Sequence, residues 1–247
     1  MSRALGWTLA SLAGLLALWQ GLIWLVDPPP FLLPAPGAVA AALWVHRAEF
    51  ATAGALTLGE ILAGFALGAL TGAVIAIAMG FSPAVARALR PALLVSQTIP
   101  IFALAPILTL WLGFGAAPKI VVTALITFFP VTSAFLDGLT RTPPACLDLA
   151  RVMGAGRWRE MTRLRVPAAL PMLGTGLKLA AIYAPVGAVI GEWVGGSEGL
   201  GAMMIHANGR MRIDVVFAGL ALVTLIAVAF HALVAHLVER VFAGFGR

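Results

Sequence analysis

The chain has 247 residues, of which 61% are hydrophobic and only 11% are charged, and its mean hydropathy is +1.01. Soluble globular proteins carry about 25% charged residues, so this composition excludes both a soluble domain and a disordered chain. A formal net charge of +6 would suggest nucleic acid as a partner of a soluble protein, but in so apolar a chain basic residues are typical of the cytoplasmic side of a membrane protein.

Six stretches are long and apolar enough to cross a bilayer, which requires roughly 17–25 mostly apolar residues. They comprise residues 4–26, 61–86, 91–118, 120–136, 167–191 and 215–238. The first is interpreted as an uncleaved helix rather than a signal peptide, because no small-residue cleavage site is evident before Asp27. The prediction is an all-α, polytopic membrane protein with six transmembrane helices.

The basic residues predict how these spans are oriented. With the N-terminus inside, eleven of the sixteen Lys and Arg residues lie in inside segments, four lie in outside segments, and Lys178 lies in a span. This is the positive-inside pattern, and it predicts that both termini are cytoplasmic.

The first outside segment is rich in proline, from Asp27-Pro28-Pro29-Pro30 to Leu33-Pro34-Ala35-Pro36. Proline cannot continue a helix, so a stiff extended connector is expected, followed at 37–49 by a short surface helix or a plain linker. We therefore divide the chain into residues 1–52, with the first span and this segment, and residues 53–247, with five spans and a cytoplasmic loop at about 141–170.

The second span carries Gly64, Gly68 and Gly72 at four-residue spacing, which places them on one helix face. In a membrane such a face lets two helices approach closely. The pattern predicts packing rather than chemistry.

Polar residues beside prolines in the spans are candidates for a translocation pathway, because prolines bend membrane helices and free backbone carbonyls. The candidates are Gln97, Thr98, Pro100, Phe129 and Glu192. The alternative role of these polar residues is hydrogen bonding between helices. For Glu192, a hydrogen-bonded structural role at the rim of a span is an equal alternative to the pathway.

The loop at 141–170 carries six arginines against two acids, Asp148 and Glu160. A first helix with Cys146, Leu149, Ala150 and Met153 on one face is predicted to break at Gly154-Ala155-Gly156, and a second short segment follows from Arg157. The loop cannot bury this apolar face itself. It therefore favours docking into another protein, or alternatively contact with anionic lipid.

This loop resembles the signature of the permease subunits of ATP-binding-cassette importers, in which Glu-Ala-Ala, three residues and Gly precede a hydrophobic residue and proline. Here the matching stretch runs from Asp148 through Gly154 to Val166-Pro167, with Asp148 in place of the glutamate and Leu149 in place of the first alanine. The resemblance implies the type I importer permease fold and a coupling helix seated on an ATPase. The residues that it implies for ATPase contact are Asp148, Leu149, Ala150, Met153, Gly154 and Trp158.

Further segments resemble the nitrate/taurine-type branch of these permeases, among them Leu33-Pro34-Ala35-Pro36, Trp111-Leu112-Gly113-Phe114-Gly115 and Gly191-Glu192-Trp193. Within that branch, Phe128-Phe129-Pro130 and His206-Ala207-Asn208 look most like permeases for the pyrimidine precursor of thiamine. The implied cargo is a small polar solute, either a hydroxymethylpyrimidine-type precursor or a nitrate- or sulfonate-like anion.

The resemblance also implies partners. Such permeases work in pairs, usually as homodimers, in the bacterial inner membrane, with two ATPase subunits and an extracytoplasmic solute-binding protein. The sequence contains no Gly-x-x-x-x-Gly-Lys-Ser/Thr motif, so ATP and Mg²⁺ are expected on the ATPase. The chain itself is expected to contact lipid, to have no cofactor or enzymatic activity, and to bind no nucleic acid.

Three other function classes are alternatives: a membrane-bound enzyme, a secondary transporter, and a structural membrane anchor, which leaves the helix pair at 141–171 unexplained. Gly195-Gly196-Ser197-Glu198-Gly199 matches the Gly-x-Ser-x-Gly pattern of serine hydrolases, which requires a strand–turn–helix setting. A secondary transporter would use Glu60 or Glu192 for ion coupling, although both lie near the outer ends of the predicted spans. No metal site is predicted, because the four histidines form no His-Glu-x-x-His motif and Cys146 is the single cysteine.

Overall fold

The structure, a computed structural model, describes residues 2–242, apart from the side chains of residues 2–5, 8, 9 and 12. Its helices are α1 (Ser2–Val26), α2 (Pro36–Val45), α3 (Arg47–Phe81), α4 (Pro83–Thr98), α5 (Ile101–Leu112), α6 (Ala116–Thr140), α7 (Pro144–Val152), α8 (Arg157–Glu160), α9 (Val166–Gly195), α10 (Leu200–Gly209) and α11 (Ile213–Phe242). A π-helical turn, Met161–Arg165, joins α8 to α9. Within the described range the chain contains no strand, and the all-α prediction is confirmed.

Four helical segments of the described chain are long and apolar enough to cross a membrane: α3, α6, the continuous helix from Arg157 to Gly195, and α11. The pair α4 and α5 is long and apolar enough only when the two helices are taken together, as a broken span or a re-entrant loop. Within α1, the apolar stretch that the structure describes is Ala13–Val26, which is shorter than the four spans above. The multi-span fold is confirmed, and the crossing by the first of the six predicted spans stays a prediction.

The third predicted span, residues 91–118, is not one straight helix. The axes of α4 and α5 meet at an angle of 101°. Ile99 has an extended backbone (φ −74°, ψ 120°), because the ring of the following Pro100 disfavours the helical conformation. Pro100 also lacks the N–H that would continue the ladder of helical hydrogen bonds.

Helix α6 lies between α3 and α9, and glycines allow both close approaches. The face of α3 that carries Gly64, Gly68 and Gly72 packs on α6, and a Cβ atom at Gly72 would lie 2.6 Å from the backbone oxygen of Phe128. Thr132 Oγ1 donates a 3.2 Å hydrogen bond to the Gly72 carbonyl. On the other side, a Cβ at Gly176 of α9 would lie 2.8 Å from the Pro130 oxygen. Backbones this close interact by dispersion along their whole length.

The bundle has two distinct ends. We call the end that carries α7 and α8 the loop end, and the end that carries α2 and α10 the opposite end. At the opposite end, Val39, Phe50, Leu200 and Val215 form one buried apolar cluster. The short helix expected after the proline-rich segment is α2, and α3 starts at Arg47, well before the predicted start at residue 61.

Candidate functional site

The loop end exposes an apolar surface. Leu149, Met153 and Trp158 have 61%, 78% and 67% of their areas exposed, and Val152 is exposed beside them. We call these four residues the loop surface. Large side chains exposed this far and this close together are typical of a protein contact.

A glycine turn creates this surface by ending α7. Gly154 has φ +75°, a left-handed conformation that side chains other than glycine rarely adopt. The Ala155 N–H then donates a 2.9 Å hydrogen bond to the Ala150 carbonyl, as at other glycine-terminated helices. Ala150 is buried beneath the turn, and Asp148 is exposed and paired with Arg151 at 2.9 Å.

The six predicted coupling residues therefore lie together, with different surroundings. Leu149, Met153 and Trp158 face outward, Gly154 makes the turn, and Ala150 packs inside. The contact with an ATPase that was expected of them stays a prediction.

Glu160 is the residue that holds the loop in place. It is buried, and its Oε1 accepts hydrogen bonds from Arg165 through Nη2 and, at 2.8 Å, through Nε. Arg151 of α7 approaches the other carboxylate oxygen to 3.9 Å. One carboxylate thus joins α7 to the start of the long helix. The sequence signal for this role was an acid among six arginines, and it did not enter the prediction.

The loop is also connected mechanically to two spans. Trp158 packs edge-on against Phe81 at the end of α3, with ring centroids 6.3 Å apart. Met161 is buried with Ala76 and Leu139. Because α8, the π-helical turn and α9 are continuous, Trp158 lies on the same helix as the membrane span that ends at Gly195.

A cavity of about 600 Å³ lies between the break of α4 and α5 and the helices α6 and α9. Its lining combines aromatic, polar and acidic side chains with apolar ones, and the members used below are Ser96, Gln97, Phe129, Ser133, Asp137 and Tyr183. Gln97 and Phe129 were predicted for the pathway, whereas Tyr183, Ser133 and Asp137 were missed. Ser133 and Asp137 lie one turn apart on α6, and Tyr183 lies on α9. That the three share a cavity is visible only once the packing of these helices is known.

Thr98 and Pro100 were predicted for the same pathway, but they are not among the residues that line this cavity. Thr98 donates a hydrogen bond to the Val95 carbonyl in its own helix. Pro100 sets the bend between α4 and α5, and it shapes the cavity indirectly.

Glu192 lies away from the cavity, at the opposite end. It is completely buried. Its Oε1 accepts a 2.5 Å hydrogen bond from Thr57 Oγ1, and its Oε2 accepts one from the Gly201 N–H. The Leu200 N–H donates to Thr57 Oγ1 at 2.9 Å. In place of the predicted lining role, Glu192 ties α3, α9 and α10 together.

A buried ion pair lies beside this network. Lys119 Nζ donates to Glu60 Oε1 at 2.7 Å and to the Glu198 carbonyl at 2.9 Å. Sequence reasoning counted Lys119 among the outside basic residues, but the structure buries it in the first turn of α6. Glu60 and Glu192, the two candidates for ion coupling, are thus occupied by contacts between helices.

Ser197 lies between α9 and α10, so its Gly-x-Ser-x-Gly segment connects two helices. The nucleophile elbow that this pattern marks in hydrolases places its serine on a turn between a strand and a helix. Ser197 shares an open pocket with His46 and His206, but neither ring is hydrogen-bonded to its hydroxyl within the described residues.

Comparison with known proteins identifies the family. The model of the binding-protein-dependent transport system inner membrane component matches residues 51–243. A probable ABC transporter permease of Haemophilus influenzae is 44% identical over 92% of both chains. A formylaminopyrimidine transport permease of Halalkalibacterium halodurans is 42% identical over 70% of this chain and 69% of its own length.

More distant proteins agree with this identification. The taurine transport system permease of Escherichia coli is 30% identical over 92% of this chain and 85% of its own length. An inward-facing structure of the MetNI methionine ABC transporter has the same fold, with a TM-score of 0.59 at 19% identity over 87% of this chain and 99% of the matched chain. The chain belongs to the family of inner-membrane components of binding-protein-dependent transport systems, the membrane-spanning permease subunits of ATP-binding-cassette importers.

Proposed function

We propose that the loop surface seats the chain on a separate ATPase subunit and passes the movement of that subunit to α9. The observation that carries this proposal is one exposed apolar group: Leu149, Val152 and Met153 at the end of α7, and Trp158 at the start of the helix that continues into the membrane bundle. A contact of this kind places apolar anchors in the centre of an interface and charged residues at its rim. The arginines and Asp148 around the loop surface fit that arrangement.

ATP binding and hydrolysis are assigned to the partner. The chain has no phosphate-binding Gly-x-x-x-x-Gly-Lys-Ser/Thr loop, and the proteins of its family are single components of a transport system. A solute-binding protein would deliver the solute at the opposite end, where a second pocket of about 750 Å³ opens between α3 and α10.

A second copy of the chain is the proposed partner within the membrane. Within the described residues, no side chain of α4 is buried, and only Ala105 and Leu108 of α5 are. Phe102, Leu110 and Trp111 are exposed on α5. This loosely packed pair forms one wall of the 600 Å³ cavity, so a second copy packed against it would complete the pathway.

The coupling surface is tested by Leu149→Asp in a tagged permease. We expect the variant to remain in the membrane but to lose co-purification with the ATPase, because a charge replaces a central apolar contact. The measurement is the amount of ATPase retained per tagged permease. Leu32→Asp is the matched control, since Leu32 is exposed to 65% in the connector before α2. Full retention of the ATPase by Leu149→Asp contradicts the proposal.

A further inference from the structure

We infer that the cavity beside the broken helix pair admits a neutral or cationic heteroaromatic ring and rejects sulfonates and other anions. The inference rests on the proposed function, because it treats this cavity as part of the solute pathway. It favours a cargo like the formylaminopyrimidine of one similar permease over one like the taurine of another.

The charge of the cavity is the first argument. Among its described lining residues, Asp137 alone carries a charge. The Asp137 carboxylate is exposed and forms no ion pair with any residue of the described range. An anion in this space meets an unbalanced negative charge, whereas an amino group or a protonated ring nitrogen gains a hydrogen-bonding counter-charge.

The nearest cation along α6 is Arg141, one turn after Asp137, which forms no ion pair with it within the described residues and is not part of the cavity lining. The lysines of the helices that line the cavity are paired elsewhere. Lys119 in α6 is bonded to Glu60 at 2.7 Å. Lys178 in α9 points to α11, where it pairs with Glu239 at 2.9 Å. Both lysines lie on helices that line the cavity, yet neither is part of its lining. A sulfonate would find no lysine or arginine to bind among the described lining residues.

The aromatic and polar side chains supply the second argument. Phe129 comes from α6 and Tyr183, the only tyrosine of the chain, comes from α9. Aromatic faces and edges attract a flat heterocycle. The Tyr183 hydroxyl has no hydrogen-bond partner within the described residues, and Gln97 donates only to Ser96, at 3.3 Å. These groups retain the donors and acceptors that ring nitrogens and amino substituents need.

The size and arrangement of the lining agree with this solute class. A volume of about 600 Å³ suits a small organic molecule. Ile126, Phe129, Ser133 and Asp137 follow one face of α6, over about 16 Å at the rise of an α-helix. The apolar and aromatic part of this face comes first, and the carboxylate lies nearest the loop end.

The test uses the whole importer, with ATPase and binding protein, in proteoliposomes. Radiolabelled hydroxymethylpyrimidine and ethanesulfonate are the two probes, and ATP-driven uptake is measured. We expect uptake of the pyrimidine alone. Asp137→Asn should lower it about tenfold, the size of one hydrogen bond to a charged group, and Tyr183→Ala should lower it by a similar factor. Tyr183→Phe should have a smaller effect because it keeps the ring.

Asp27→Asn is the matched control, because Asp27 is exposed after α1 and its left-handed backbone suits asparagine as well as aspartate. Its uptake should equal that of the wild type. Uptake of ethanesulfonate, uptake of neither probe, or pyrimidine uptake that both Asp137→Asn and Tyr183→Ala leave unchanged overturns the inference. The proposed function fails separately, when the wild-type chain does not co-purify with its ATPase.

Discussion

The two ends of this helix bundle use charged residues in opposite ways. At the opposite end, Lys119, Glu60 and Glu192 are buried and contact groups of the chain itself. At the loop end, Glu160 is buried but is surrounded by arginines that reach the surface, next to exposed apolar side chains. The buried charges of the opposite end join helices within the chain, whereas the loop end combines its buried carboxylate with the exposed apolar surface that the proposed contact with an ATPase requires.

This contrast has a physical basis in desolvation. A buried charge is tolerated only when it is paired and hydrogen-bonded, so the opposite end tolerates little change. The loop end keeps part of its charge in contact with water, and changes there should alter binding more than stability. Three substitutions test this division, in order of decreasing expected effect on stability.

Replacing Lys119 should have the largest effect. Lys119→Met leaves the Glu60 carboxylate buried without its counter-charge, a change that typically costs about 3–5 kcal/mol. The measurement is thermal unfolding of the purified permease in detergent. Lys178→Met is the control, because its partner Glu239 is exposed, and it should lower the melting temperature far less. Equal melting temperatures for Lys119→Met and the wild type would contradict the buried pair.

Removing the Thr57 hydroxyl should have an intermediate effect. Thr57→Val keeps the shape but removes the group that donates to Glu192 and accepts from the Leu200 N–H. Leaving such buried partners unsatisfied costs about 1–3 kcal/mol, which should appear in the same unfolding measurement. Thr52→Val serves for comparison, since exposed Thr52 bonds only to Ala48 of its own helix. If Thr57→Val and Thr52→Val unfold at the same temperature, the hydrogen bonds of Thr57 do not stabilise the protein.

Glu160→Gln should have the smallest effect on stability and the clearest one on function. The amide keeps the volume but weakens the bonds to Arg165 and Arg151, so α7 is held less firmly against the long helix. We expect ATP-driven uptake to fall while the unfolding temperature stays close to that of the wild type. If Glu160→Gln lowers the unfolding temperature as much as Lys119→Met does and leaves uptake normal, then Glu160 serves stability rather than function, and the proposed difference between the two ends is wrong.

Local sequence signals were sufficient for much of the fold. Long apolar runs predicted the spans, and the glycine spacing in α3 predicted a close helix contact, which the structure makes with α6. The prolines of the third span indicated a bend, but not that it reaches 101°. That angle depends on how α4 and α5 pack on α6 and α9, and no local pattern contains this information.

The candidate site was predictable only in part, for the same reason. Gln97 and Phe129, both predicted for a pathway, line the cavity, and their role in transport stays a prediction. Asp137 and Tyr183 line it too, but no motif distinguishes them in the sequence. The sequence left two roles open for Glu192, lining of the pathway and hydrogen bonding between helices. Its partner Thr57 lies 135 residues away in the chain, beyond the reach of periodicity or spacing.

The sequence by itself determined the class of the molecule: its apolar runs, charge asymmetry and glycine-broken loop indicate a helical membrane protein with an amphipathic loop outside the spans. Tertiary structure alone decided which polar residues meet one another. Hydropathy and capping act over a few turns of helix, but Lys119 and Glu60 are 59 residues apart. Burial brings such groups together because an unpaired charge inside the bundle costs more than the pairing does, and only the packed helices reveal which partner is within reach.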